Sequence, residues 1–283
     1  MFSLYEKTAG LCSKIITREY STSFSLGIQT LHKKFHEPIY AIYGMVRYAD
    51  EIVDTFHDYN KKQLLEKFKR DTFEAIAERI SLNPVLHSFQ RAVHTYGIPL
   101  HLVEAFFKSM EMDLYETAYG EAGYQEYIYG SAEVVGLMCL KVFTEGDEVL
   151  YERLQKPARA LGAAFQKVNF LRDMKSDYHE RGRVYFPGID FTNFREESKR
   201  KIEAEIENDF AEAYRGIMQL PISARAGVLL AYRYYLRLFE RIKRVPVNRM
   251  MEERIRVPDY EKLTLLAGTM VQQQVSARLA YFI

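Results

Sequence analysis

Cysteine is nearly absent from the 283-residue chain, with only Cys12 and Cys139, far apart. Two distant cysteines build neither a disulfide framework nor a zinc site, and a reducing cytoplasm is the expected setting. An excess of either charge is also lacking. The 39 basic and 38 acidic residues leave a formal charge of +1, which gives no reason to expect nucleic acid or an electrostatically held membrane, though it leaves room for local basic spots. The N-terminus, Met1-Phe2-Ser3-Leu4-Tyr5-Glu6-Lys7, has no basic segment leading into a long apolar one and does not read as a signal peptide. The most apolar stretch, Val134 to Leu140, stops at Lys141, well short of the ~18 apolar residues of a membrane span. Alternating strand runs with hairpin turns are missing, as are repeats, low-complexity tracts and linkers. The seven histidines have no metal-ligand spacing. No Ser-His-Asp arrangement or glycine-rich nucleotide loop is visible.

What is present is helical periodicity over nearly the whole chain, with 48% apolar residues to supply a core. Leu64, Leu65, Phe68, Phe73, Ile76 and Ile80 fall on one face of a helix capped by Asn60. Asn83-Pro84 reads as a cap followed by a first-turn proline, and Gly97 closes that helix. Pro99 opens the next, whose apolar face carries Leu102, Phe106, Met110 and Leu114. Further helices are expected from about Tyr124 to Phe143, from Glu148 to Tyr178 with an interruption near Lys156-Pro157, from Phe194 to Met218, from Pro221 to Lys243 and from Glu261 to Tyr281. The most loop-like segment is Arg181-Gly182-Arg183-Val184-Tyr185-Phe186-Pro187-Gly188. The simplest architecture is one all-α domain over residues 1–283 around a central cavity.

Two acid clusters stand out. Asp50 and Asp54 are i,i+4 neighbours and share a helix face, and Asn169, Asp173 and Asp177 repeat that spacing over two turns. Rows of hard oxygen ligands suit magnesium, which takes one or two carboxylates and fills its shell with water and substrate phosphate. An acidic pair on a solvated face is the ordinary reading of Asp50/Asp54. Against it, their helix is apolar around much of its circumference, and Arg47 lies one turn earlier, able to pair an acid or hold a phosphate oxygen. The second row, begun by Gln166, runs beside Phe165, Val168, Phe170 and Leu171; its bland alternative is a polar seam between packed helices. Tyr20-Ser21-Thr22-Ser23-Phe24-Ser25 alone is a cap and turn, and with a diphosphate nearby its hydroxyls could take phosphate oxygens. Small residues at Gly130, Ser131, Ala132 and Gly136 allow close packing or leave room for a ligand.

Taken in order, these segments resemble the squalene and phytoene synthase family, the head-to-head prenyl-diphosphate synthases. The resemblance rests on Ser23-Phe24, Tyr40-Ala41-Ile42-Tyr43, Arg47-x-x-Asp50-Glu51-x-x-Asp54 and Tyr127-x-Tyr129 ahead of Val135-Gly136. It continues through the second acid row into Arg181-Gly182-Arg183-Val184-Tyr185-Phe186-Pro187, and ends at Glu253-Arg254-Ile255-Arg256-Val257-Pro258. Within the family the look is of a bacterial phytoene synthase. The resemblance implies an all-α class I terpenoid synthase fold with bound magnesium, manganese being the substitute. It implies metal binding by Asp50, Asp54, Asn169 and Asp173, with Asp177 in support. Diphosphate contacts fall on Ser21, Ser23, Arg47, Gln166 and Arg172. Tyr43 and Tyr129 would line the cavity and, with the four aspartates, form the catalytic set. Three positions depart from the family pattern: Tyr20, Glu133 and Arg249.

The implied reaction joins two geranylgeranyl diphosphates into phytoene through a cyclopropyl diphosphate, in carotenoid synthesis and without NADPH. The alternatives are squalene or dehydrosqualene synthesis from farnesyl diphosphate, and a non-catalytic assembly factor. Head-to-tail elongases and terpene cyclases fit less well, since their DDxxD pattern is absent. The expected partners are prenyl diphosphates in a cytoplasmic setting, with peripheral membrane contact for product release as an option. The oligomeric state is left open.

Overall fold

The computed structural model describes residues 2–116, 118–179, 183–188, 194–250, 255–258, 260–261, 264–266 and 268. Among them there are helices and no strand; one isolated bridge pairs Ala118 with Val184. The helices are α1 (Phe2–Tyr20), α2 (Thr22–Thr30), α3 (His36–Asp54), α4 (Lys61–Glu78), α5 (Pro84–Tyr96), α6 (Leu100–Tyr115), α7 (Glu121–Ile128), α8 (Val134–Thr144), α9 (Glu148–His179), α10 (Glu196–Ile217), α11 (Ile222–Arg244) and α12 (Val247–Met250).

The punctuation works as the sequence predicts in most places. The Asn60 side chain accepts from the Gln63 amide and opens α4. Asn83 accepts from Val85 with Pro84 in the first turn of α5, and Gly97 ends that helix at φ +60°. Ser21 accepts from Phe24 and separates α1 from α2.

Three expectations need correction. Helix α4 stops at Glu78 because Arg79 turns into the left-handed region at φ 58°, so Ile80 falls beyond the helix and is exposed. Helix α9 runs through Pro157 without interruption. The Pro157 ring packs on α10, where a Cβ added at Gly216 would lie 2.3 Å from it; the missing side chain makes room for the proline. The segment from Tyr124 to Phe143 is broken by a π-helical turn at Tyr129–Glu133, between α7 and α8. The expected helix from Glu261 to Tyr281, the start of the Glu253-to-Pro258 motif, and Arg181-Gly182 lie wholly or largely outside the described residues.

The fold positions two long helices as walls. Helix α3 packs on α1, α5, α4 and α6, and it buries Tyr40, Ile42, Met45 and Ala49. Helix α9 packs on α8, α10, α11 and the π turn. Close backbone approaches hold that side together. A Cβ at Gly162 of α9 would meet the Ala132 carbonyl at 2.5 Å, and one at Gly130 would meet the Ala105 carbonyl at 2.2 Å. Gly136 likewise faces the Ala158 carbonyl at 2.8 Å. The small residues at 130 and 136 therefore serve close packing, while Ser131, Ala132 and Gly136 also border the cavity between the walls.

Candidate active site

Between α3 and α9 lies a cavity of ≈ 660 Å³. Its two ends differ in chemistry because the walls do. At one end Ile39, Leu140, Phe143, Leu154, Ile217 and Leu220 give an apolar lining. At the other, the last two turns of α3 and the C-terminal half of α9 bring Arg47, Asp50, Asp54, Gln166, Asn169, Arg172, Asp173 and Asp177 into one wall-to-wall polar zone. The i,i+4 spacing aims each row at the same space.

Burial deep inside the protein raises Asp50 to about 7; Arg47 opposes the shift, and Asp54 and Asp113 add to it. Tyr43 is pushed up to about 12, chiefly by burial, and its hydroxyl is hydrogen-bonded to Ser21. Its ring stacks on Phe24 at 4.9 Å between centroids. Both candidate phosphate-binding arginines hold carboxylates on their own helices. Arg47 donates to Glu51, and Arg172 donates from Nε to Asp173 at 3.0 Å and from its other nitrogen to the second oxygen.

Sequence reasoning missed Asp113 of α6. It is 8% exposed, accepts from the Tyr127 hydroxyl at 2.8 Å, and is raised to about 7 by burial. Arg183 bridges it to the first acid row. One guanidinium nitrogen donates to Asp54 at 3.0 Å, and the other donates to the Asp113 carbonyl at 2.8 Å. Burial works against the charge on Arg183, but Asp113, Tyr185 and Asp54 outweigh it and hold its pKa above the ordinary value. Tyr185 in turn stacks on Phe170 of α9 at 4.0 Å. The segment after the second row is thus anchored across the cavity onto the first.

Some expected residues lie elsewhere. Tyr129 is not in the cavity lining. Tyr127 and Ser131 are, four residues apart on one face; Tyr129 sits between them in sequence and points the other way, its ring under the Arg159 guanidinium at 5.2 Å. Ser21 and Ser23 sit at the start of α2 outside the lining, Ser21 reaching the site through Tyr43. Glu133 stands just outside the cavity, paired with Arg159 at 2.6 Å. Arg249 is exposed on α12 and does not reach it.

Among the described residues no three His, Cys, Asp or Glu side chains converge on one point. The acids are set in rows instead, as suits an ion that completes its shell with water and phosphate. The Oδ1 atom of Asn169 is buried with no hydrogen-bond partner among the described residues. A hard oxygen left unpaired beside Asp173, opposite Asp50 and Asp54, fits a magnesium-type cation.

Comparison with known proteins follows this geometry. The squalene/phytoene synthase family model matches residues 17–261. The 4,4'-diapophytoene synthase of Staphylococcus haemolyticus is 28% identical over 73% of this chain and 70% of its own length. Phytoene synthase 1 of Zea mays is 28% identical over 82% of this chain, a match that spans 60% of the maize protein. The 15-cis-phytoene synthase of Pantoea ananas is 24% identical over 92% and 91%. A dehydrosqualene synthase crystal structure superposes with TM-score 0.81 at 21% identity, covering 97% of this chain and 99% of the other. The squalene synthase HpnC of Alicyclobacillus acidocaldarius superposes with TM-score 0.74 at 19% identity, over 85% and 95%. The match to the family model covers both acid rows and the Arg183 segment, and the chain belongs to the squalene/phytoene synthase family.

Proposed function

We propose that the protein condenses two geranylgeranyl diphosphates head to head into phytoene, through a cyclopropyl diphosphate, with magnesium and without NADPH. The observation that carries this reading is the pairing of two oxygen-rich rows at one end of a cavity that is otherwise apolar. A prenyl diphosphate has the same division, an anionic head and a hydrocarbon tail.

In this reading Asp50 and Asp54 on α3, and Asn169 and Asp173 on α9 with Asp177 in support, hold the cation. Bound there, magnesium would offset the charge of the diphosphate and make it a better leaving group. Arg47, Gln166 and Arg172 take diphosphate oxygens, so that positive charge meets the leaving group as its negative charge develops. The Tyr43 and Phe24 rings turn apolar faces to the tail and tolerate a carbocation beside them. Arg183 and Tyr185 close the polar end against water, which would otherwise quench that cation. The second substrate's double bond attacks the first carbocation, and proton loss gives the cyclopropyl diphosphate. A second ionisation, rearrangement and proton loss give the forty-carbon triene.

The relatives' names point to more than one product, since the staphylococcal one is named for 4,4'-diapophytoene and the maize and Pantoea ones for phytoene. Farnesyl diphosphate is therefore the second reading of the substrate. The test is purified protein with magnesium and each prenyl diphosphate, with and without NADPH, followed by hydrocarbon analysis. The expected result is phytoene from the twenty-carbon substrate without NADPH. A stall at the cyclopropyl diphosphate until NADPH is added would replace the phytoene reading with a squalene-type one. Much faster turnover of the fifteen-carbon substrate would overturn only the chain length. No hydrocarbon from either would point to the non-catalytic alternative.

A further inference from the structure

Helix α1 has two unlike faces. Ala9, Ser13 and Thr17 pack inward, where α1 meets α3 and α5. Outward, Leu4, Leu11 and Ile15 are 66%, 45% and 58% exposed. Lys7, Lys14 and Arg18 are exposed on the same face. Positions 4, 7, 11, 14, 15 and 18 fall on one stripe of a helix, so three apolar side chains run along the axis with three cations at their edge. None of those cations pairs with a carboxylate among the described residues, whereas Lys67, Lys69, Arg91 and Lys108 on α4–α6 all do. The only acid bordering the stripe is Glu19.

The stripe leads to the cavity. Tyr20, the last residue of α1, is half exposed and also lines the cavity, with the Arg47 guanidinium 4.5 Å from its ring. Exposed Tyr48 of α3 lies beside Cys12 and Tyr20 and extends the apolar surface there.

We propose that the outer face of α1 docks on an anionic lipid surface, with the cavity opening at Tyr20 turned toward the bilayer. An apolar stripe with a basic edge is what lets a helix lie in the headgroup layer, its aliphatic side chains sunk and its cations on lipid phosphates. The charge selects this occupant over a second copy of the chain. Two-fold pairing of the face would set its unmatched lysines and arginine against their own counterparts. The use of the contact rests on the proposed reaction, whose hydrocarbon product needs a lipid to receive it; the contact itself does not.

Vesicle binding tests it without turnover, so it can fail independently of the proposed reaction. Full-length protein is sedimented with vesicles of phosphatidylcholine, with and without phosphatidylglycerol. The expected result is binding to the anionic vesicles that weakens with salt. Each cation near such a surface is worth on the order of fivefold, so Lys7→Glu/Lys14→Glu/Arg18→Glu should lose roughly hundredfold or more. Leu11→Ser/Ile15→Ser should lose at least about tenfold, the aliphatic insertion being removed. Both variants should keep wild-type helicity and wild-type turnover of detergent-dispersed substrate. Wild-type protein left in the supernatant with anionic vesicles would overturn the proposal, as would variants that bind like the wild type. A wild-type dimer that these variants dissociate in light scattering would also overturn it and assign the face to self-association.

Discussion

The Arg183 guanidinium donates to Asp54 at 3.0 Å across 129 residues of sequence, and it reaches the Asp113 carboxylate at 3.5 Å. One cation thus ties the segment after α9 to both α3 and α6. Arg183→Met should leave Asp113 buried opposite no positive charge, at a cost of about 3–5 kcal/mol near pH 8. Urea denaturation reads this, and adding Asp113→Asn should recover much of the loss. An additive double mutant would show that the two residues are not coupled.

The tie should tighten when substrate binds. Limited trypsin digestion within residues 180–188 is expected to slow when magnesium and a non-ionisable prenyl diphosphate analogue are added. Equal cleavage with and without them would count against closure of this segment over the site.

Asp50→Asn and Asp173→Asn should each lower turnover by at least about a hundredfold while leaving the helical circular dichroism unchanged, because each removes an anionic oxygen from where leaving-group charge must be balanced. Chelation with EDTA should do the same reversibly. Near-normal rates in either variant at saturating magnesium would sink the metal assignment.

Stability in EDTA should depend on pH with a definite sign. Asp50 and Asp113 are both raised to about 7 by burial, against about 4 in an unfolded chain. The folded state therefore binds more protons between pH 4 and 7. The stability contributed by their neutral forms is fully present below pH 4 and is lost as pH rises through 7. Each group contributes up to about 1.4 kcal/mol per pH unit over that window. Urea midpoints should fall from pH 5 to pH 8, and Asp113→Asn should flatten the fall.

Gly162→Ala should force α9 away from the π turn, because its Cβ would lie 2.5 Å from the Ala132 carbonyl. Overpacking of this kind costs about 1–3 kcal/mol. Both residues border the cavity, so KM for the longer substrate should rise as well. Wild-type melting temperature and KM would show that the approach relaxes freely.

The acid rows were legible because i,i+4 spacing is a local property, readable without knowing what the helix faces. The caps at Asn60, Asn83 and Gly97 were legible for the same reason. What failed was non-local. Pro157 passes through α9 because Gly216 of α10 yields space, and nothing near Pro157 in sequence announces that. Ile80 fits the α4 stripe, yet Arg79 adopts the left-handed region. Asp113 did leave a signal: it sits three residues after Met110 on the apolar face of α6, where a carboxylate is out of place unless something meets it. Its partner Arg183 is 70 residues away and could not be paired with it from spacing.

The own-helix pairs Arg47–Glu51 and Arg172–Asp173 have a consequence for the order of events. A cation that takes Asp173 releases Arg172, and a phosphate that takes Arg172 releases Asp173. Each ligand thereby lowers the cost of admitting the other, and by thermodynamic reciprocity the enhancement is the same in both directions. Inorganic diphosphate should raise magnesium affinity by the factor by which magnesium raises its own. In its resting form the site is a set of internally satisfied ion pairs that exchange partners together, so cation and anion enter as a cooperative unit.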